Sequence, residues 1–168
     1  MTDRTLSGIG PALALSLAVT ATGTPLAPRG KESGEASVQH AAGTFEVKLT
    51  PQAADDKSEG LGRLTLEKQI HGDLEGVSRG QMLSVGPDDK GSGAYVAIER
   101  VTGSLKGRTG TFVLQHSGTL TRGTHLLSVS VVPDSGTGQL LGLTGRMDIK
   151  IADGKHSYDF EYRLPDVP

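Results

Sequence analysis

The chain has 168 residues, 24 of them glycine, and a formal net charge of −2 at neutral pH. The length fits a single domain. The absence of cysteine excludes disulfides, thiolate metal sites and cysteine nucleophiles. The near-neutral charge, the three Phe, the three Tyr and the absence of Trp argue against a nucleic-acid-binding surface.

The first 42 residues differ in composition from the rest and are predicted to be a leader outside the folded domain, which is assigned to residues 43–168. The apolar run Ile9–Val19 is too short to span a bilayer, which needs about 20 residues. It does have the length of a signal-peptide core, with Val19–Ala21 as a candidate cleavage site. We expect a cytoplasmic protein with a disordered N-terminal extension, and export through a weak signal peptide is the alternative.

From Gly43 onward, apolar and polar residues alternate in short runs, which is the pattern of half-buried β-strands. A single helical turn over Gly138–Leu141 is the best helix candidate. The dipeptide Asp153-Gly154 is the strongest hairpin signal in the chain. The eight predicted strands are Thr44–Thr50, Arg63–His71, Leu74–Val85, Ala94–Leu105, Gly110–Leu120, His125–Val132, Arg146–Ile151 and Lys155–Leu164.

Short links between consecutive strands favour an all-β fold, an eight-stranded antiparallel up-and-down β-barrel. Closure into a barrel removes the exposed strand edges that an open sheet would leave. A barrel of this size is either filled by side chains or wide enough to hold one small ligand.

Several segments carry a family resemblance: KQIHGDLEGVSRGQML, LQHSGTL, VVPDSGTGQLLGLTGRMDI and DGKHSYDFEYRLP. From Gly43 to about Pro165 the chain resembles a bacterial domain-of-unknown-function family whose structures look like the allene oxide cyclase barrel. The element Gly136–Gly142 is also similar to a turn in plant allene oxide cyclases and dirigent proteins. The resemblance implies the same barrel, often oligomeric in the plant relatives, and implies no activity. No active-site residue of the cyclases can be placed on this sequence.

Two motifs suggest chemistry that their surroundings do not support. The segment Gly76–Gly80 matches G-x-S-x-G, but this nucleophile motif needs a helix after its serine, and a strand pattern continues here. The glycine-rich segment Ser135–Gly145 lacks the spacing of a phosphate-binding loop. We interpret the first as part of a strand and the second as a tight corner between strands.

The histidines give little support for a metal site. His71, His116 and His156 lie on different predicted strands, and no pair has the spacing of a metal-binding motif. No metal or cofactor is expected.

Polar residues at inward-facing positions form the candidate site. A buried charge costs several kcal/mol unless it is paired, so Glu99 and Lys68 should be paired or hydrated if they lie inside. An apolar pocket with a few converging polar groups is typical of a small-molecule site. The alternatives are that these groups satisfy one another in a filled barrel, or that they point outward. The candidate ligand-binding residues are Lys68, Tyr95, Glu99, His116, His156 and Tyr158.

Three functions remain open. The first is binding of a small, mostly apolar molecule inside the barrel. The second is a cyclase or isomerase, in which Glu99 or His116 moves a proton and Tyr95 or Tyr158 donates a hydrogen bond. The third is self-association into a homo-oligomer, because the predicted sixth strand, with Leu126, Leu127, Val129, Val131 and Val132, is apolar on both faces.

Overall fold

In this computed structural model, residues 36–53 and 60–166 are described. Most of the predicted leader therefore lies outside the described residues. These described residues form eight strands and one short 3-10 helix. The elements are β1 (Gln39–Pro51), β2 (Leu61–Gly72), β3 (Leu74–Val85), β4 (Gly93–Leu105), β5 (Arg108–Thr121), β6 (Thr124–Val131), η1 (Gly138–Leu140), β7 (Thr144–Ala152) and β8 (Lys155–Arg163).

The strands close into one antiparallel up-and-down barrel in sequence order, with β1 paired to β8. This architecture confirms the predicted fold. The Asp153-Gly154 hairpin is confirmed as well, since both residues have the positive φ angles, 51° and 72°, that such a tight turn requires.

The first strand is longer than the sequence pattern predicts. It begins at Gln39 instead of Thr44 and pairs with β8 from Gln39↔Tyr162 to Phe45↔His156. Ala41 is 1% exposed. The last residues assigned to the leader thus belong to the barrel, because β8 offers them a full ladder of backbone partners.

One end of the barrel is closed by leucines. Leu74 and Leu105 adjoin the β2–β3 and β4–β5 hairpins, and Leu140 and Leu143 come from the connection between β6 and β7; each is at most 1% exposed. Their side chains lie in one core cluster with the stacked rings of Phe112 and Phe160. We call this the closed end.

The predicted glycine corner Ser135–Gly145 forms part of this closure. Ser135 and Thr137 accept hydrogen bonds from the backbone N–H groups of Val113 and Thr111 on β5. The segment therefore runs alongside β5 beyond the point where β6 ends, and η1 then carries Leu140 into the core. These contacts give the segment a structural role.

The part of the chain that the structure describes contains no helix long and apolar enough to cross a bilayer.

Candidate functional site

A buried ionic cluster occupies the middle of the barrel. The Lys68 ammonium donates to Oε1 of Glu99 at 2.6 Å, and Nε2 of His116 lies 2.7 Å from the same oxygen. Ser78 Oγ donates to Oε2 of Glu99 at 2.5 Å. The four residues are between 1% and 8% exposed. Of the two expected alternatives for Glu99 and Lys68 inside the barrel, pairing or hydration, the structure shows pairing.

Strand register explains why these four residues meet. Lys68 lies opposite Ser78 across the β2–β3 ladder, and Glu99 on β4 lies opposite Gly80 on β3. His116 enters from β5, where it lies opposite Ala97.

The G-x-S-x-G motif acquires a structural explanation from the same register. A Cβ at Gly80 would collide with the backbone of Ile98 and with Cα and Cβ of Glu99, so glycine allows β4 to approach closely at Glu99. Ser78, between the two glycines, uses its hydroxyl to bind that carboxylate. The motif lies wholly within β3 and has no strand-to-helix turn, which agrees with its interpretation as part of a strand.

The charge state of Glu99 follows from its partners. Burial is the largest influence and raises its pKa, but the His116 hydrogen bond and the charges of Lys68 and His116 outweigh burial. The pKa of Glu99 is therefore lowered from 4.5 to about 2. The carboxylate is ionised at neutral pH and is a poor proton acceptor there.

Two aromatic rings extend this cluster. The Lys68 ammonium lies 4.7 Å from the centroid of the Phe45 ring, which is within cation–π range. The ring of His156 packs on the ring of Phe45, and the two ring centroids are 5.0 Å apart. His156 is thus connected to the cluster through Phe45.

Tyr158 lies toward the closed end. Its hydroxyl accepts a hydrogen bond from the Leu74 backbone N–H at 3.0 Å. It packs over Gly43, where a Cβ would collide with the Tyr158 ring. The geometry gives Tyr158 a structural role in joining β8 to the β2–β3 hairpin.

The end opposite the leucine closure holds a pocket of about 730 Å³. We call it the mouth pocket. Its lining is predominantly aliphatic, with a few polar side chains at Ser84, Tyr95, Thr119 and His125. The aliphatic residues that line it are Leu64, Met82, Val85, Leu120, Leu126, Leu127, Ile149 and Ile151.

Tyr95 is the predicted site residue that lines the mouth pocket. Its ring packs over Gly118, where a Cβ would collide with it. Burial, and secondarily the negative charge of Glu99, raise the pKa of Tyr95, so the phenol is protonated at neutral pH. Within residues 36–53 and 60–166, no protein group accepts a hydrogen bond from this hydroxyl.

The ionic cluster lies deeper than the mouth pocket. Tyr95, Ala97 and Glu99 are successive inward-facing residues of β4, so Glu99 is two inward positions below Tyr95. Neither Glu99 nor Lys68 contributes to the pocket lining. His116 instead borders a second depression of about 620 Å³, together with residues such as Leu83, Val96 and Gln115.

The six candidate residues thus fall into separate environments. Lys68, Glu99 and His116 form one cluster, joined by Ser78, which was not among the six candidate residues. Strand alternation is the available signal that Ser78 faces inward, whereas its position opposite Lys68 depends on the strand register. Among the described residues, no group of three or more His, Asp or Glu side chains could hold a metal ion.

Comparisons with known proteins identify the family. The model of a protein family of unknown function, DUF3224, matches residues 41–162. The crystal structure of a protein of unknown function from the same family, from Shewanella oneidensis MR-1, is 46% identical to this chain with a TM-score of 0.73. The match covers 78% of this chain and 100% of the Shewanella chain. No curated protein matches. The chain therefore belongs to the DUF3224 family.

Proposed function

We propose that the protein binds one small, mostly apolar molecule in the mouth pocket. The observation that supports this most strongly is the aliphatic lining around a volume of about 730 Å³. Small-molecule sites range from about 300 to 1,000 Å³ and combine an apolar lining with a few polar groups.

Tyr95 would orient the ligand. Its hydroxyl is protonated, borders the apolar lining and has no acceptor among the described residues. A ligand with a carbonyl, ether or hydroxyl oxygen could accept this hydrogen bond, which is stronger when water is excluded. Lys68, Glu99, His116, His156 and Tyr158 then support the barrel wall beneath and beside the ligand.

The cyclase or isomerase alternative receives less support from the geometry. Both oxygens of Glu99 accept hydrogen bonds, its pKa is about 2, and neither Glu99 nor His116 lines the mouth pocket. A general base needs a pKa near the working pH and a position within reach of the substrate. The arrangement favours a stabilising role for these residues over proton transfer. The predicted likeness to the allene oxide cyclase barrel stays a prediction.

Native mass spectrometry of the untreated full-length chain tests the binding proposal. We expect an additional mass of defined size, one per chain, and its loss on Ser84→Trp, which places a large ring in the pocket. Ser117 lies on the exposed face of β5, outside the pocket lining, so Ser117→Trp is the matched control. If both tryptophan variants retained the ligand equally, its site would lie elsewhere. If neither the parent protein nor either variant carried an additional mass, the result would count against tight binding.

Self-association is a second candidate, favoured by an exposed apolar surface. The predicted basis was the outer face of β6, where Leu126 is 73% exposed. A larger set lies on the outer face of β2, β3 and β4, where Leu61 is opposite Val85 and Leu83 is opposite Val96. We call this the outer patch; its members are Leu61, Leu83, Val85, Val96 and Ile98, each between 43% and 62% exposed. Contiguous apolar patches of several hundred Å² are uncommon on monomers and mark interaction sites.

The oligomeric state tests this second candidate. In sedimentation velocity we expect a concentration-dependent dimer that Leu83→Asp disrupts, because a buried unpaired carboxylate opposes association. Leu141→Asp is the control, since Leu141 is 69% exposed and lies beside η1, away from the outer patch. A monomer at every concentration would eliminate this candidate.

A further inference from the structure

The ladder between β6 and β7 differs from the others. These strands share a single pair, Ser130↔Arg146, near the closed end. In contrast, β6 is paired to β5 along its whole length, from Leu114↔Val131 to Thr121↔Thr124. β7 is likewise paired to β8 from Thr144 to Ala152. The facing edges of residues 124–129 and 147–152 therefore lack a ladder. We call this gap the seam.

The mouth pocket is continuous with the seam. Leu126 and Leu127 on one side of the seam and Ile149 and Ile151 on the other all line the pocket. Leu126 and Ile151 are 73% and 67% exposed, so the apolar lining extends from the lumen to the outer surface at this point. From β2 to β5, by contrast, continuous ladders separate the lumen from the outside around the mouth.

We propose that the seam is a second opening of the mouth pocket, through which the end of an elongated apolar ligand leaves the barrel. This inference rests on the proposed function and adds to it the shape of the ligand, a flexible unbranched hydrocarbon chain. A compact ring system would use only the lumen. A hydrocarbon chain can lie in the lumen and continue between Leu127 and Ile149 to reach the exposed Leu126 and Ile151.

The chemistry of the seam favours a hydrocarbon chain over a polar ligand. Apart from His125, the seam residues that line the pocket are aliphatic, namely Leu126, Leu127, Ile149 and Ile151, and a methylene chain makes no demand for hydrogen bonds. The polar residues Ser128, Asp148 and Lys150 lie at exposed positions on the outer face of the two strands. Each methylene group that leaves water for an apolar surface increases affinity about fourfold. The unpaired backbone groups of the two edges remain hydrated at the outer surface, as buried unpaired groups would be costly.

The test is a chain-length series of n-alkyl carboxylates from about eight to sixteen carbons, used below micellar concentrations. For the protein without substitutions, we expect the affinity for the n-alkyl carboxylate to rise about fourfold with each added methylene group throughout the series. If the pocket ended at the barrel wall, affinity would stop rising once the lumen was full.

A disulfide across the seam gives the decisive variant, and the chain contains no cysteine of its own. Continuing the register from Ser130↔Arg146 places Ser128 opposite Asp148, both exposed on the outer face. In oxidised Ser128→Cys/Asp148→Cys we expect affinity to stop rising with alkyl chain length. Long carboxylates should then bind at least about tenfold more weakly than to the parent protein, and the affinity for short ones should be unchanged. Reduction should restore the gain.

The control disulfide is Asp148→Cys/Asp159→Cys, which joins β7 to its established partner β8. Identical chain-length profiles for the oxidised seam and control variants would overturn the proposal while leaving apolar binding intact. Absence of binding at every chain length would overturn the proposed function and this inference together.

A surface variant covers the case in which the seam disulfide does not form. Leu126→Asp places a charge where the long chain would emerge, and the exposure of Leu126 makes the change compatible with folding. We expect weaker binding of long chains only, by at least about fivefold, whereas Leu141→Asp leaves the whole series unchanged. Equal behaviour of these two variants would also overturn the proposal.

Discussion

Glu99 is the residue on which the interior of the barrel depends most. It accepts hydrogen bonds from Lys68, Ser78 and His116, and it balances the charge of a lysine that is 8% exposed. All buried side-chain nitrogen and oxygen atoms in the described residues have a hydrogen-bond partner. Removing one charge from such a cluster leaves the other uncompensated in a medium of low polarity.

Glu99→Gln should therefore lower the free energy of unfolding by about 3–5 kcal/mol, because it leaves the Lys68 ammonium buried without its counter-charge. Urea unfolding followed by circular dichroism measures the change. Glu67 forms an exposed ion pair with Arg79, so the same substitution there, Glu67→Gln, should cost at most about 1 kcal/mol. Equal losses for the two variants would show that the cluster contributes no more than a surface pair.

The pH dependence of stability follows from the lowered pKa of Glu99. Because the folded-state pKa of about 2 lies below the ordinary value of 4.5, ionised Glu99 stabilises the folded state fully above about pH 4.5. This contribution, about 3 kcal/mol, is lost as the pH falls toward 2. Unfolding free energies measured across this range should therefore fall more steeply for the parent chain than for Glu99→Gln. Parallel curves would mean that Glu99 titrates normally.

At this scale, alternation along the strands was sufficient to place Lys68, Glu99 and His116 inside the barrel. The contribution of Ser78 could not be predicted, because it depends on the register that sets it opposite Lys68. Which end of the barrel is closed, and therefore that Tyr95 borders the pocket while Glu99 lies below it, was equally out of reach. Sequence alternation says which face a side chain occupies, whereas its height in the barrel depends on pairing with neighbouring strands.

At the scale of elements, the β6–β7 boundary is the least paired part of the described barrel wall. Backbone N–H groups that point into the seam have no ladder partner and should be exposed to water. In hydrogen exchange followed by NMR, we expect the seam-facing amides of residues 124–129 and 147–152 to exchange much faster than amides of the β2–β3 ladder. The amides of β6 that point to β5 are an internal control. Protection equal to that of the β2–β3 ladder would show that the seam is closed in solution.

The strand order and most strand positions were predictable, because short hairpins leave few alternative connections. The seam was not. Leu126, Leu127 and Val129 make β6 apolar on both faces, and the sequence pattern predicted that its outer side would be covered. In the structure Val129 is 2% exposed and Leu126 is 73% exposed. Val129 points into the barrel and Leu126 away from it, so cover for the outer face of Leu126 would have to come from a partner. The single pair between β6 and β7 is a separate feature that no local pattern reports.

At the scale of the whole described barrel, leucines close one end, an ionic cluster lies at the middle and the other end is hollow. We propose that the cluster stabilises the wall and that the apolar volume of the mouth pocket takes a ligand. The 46% identical family member from Shewanella oneidensis MR-1 offers a second chain on which the same substitutions can be made.

Equilibrium titration with the fluorescent apolar probe N-phenyl-1-naphthylamine most directly tests the claim that the mouth pocket binds an apolar molecule. We expect a saturable fluorescence enhancement for the parent protein, with one probe per chain. For Ser84→Trp we expect an affinity at least about tenfold weaker, a loss of about 1.4 kcal/mol or more. Ser117→Trp should bind as the parent does. Unsaturable binding, or equal affinity in both tryptophan variants, would contradict the claim.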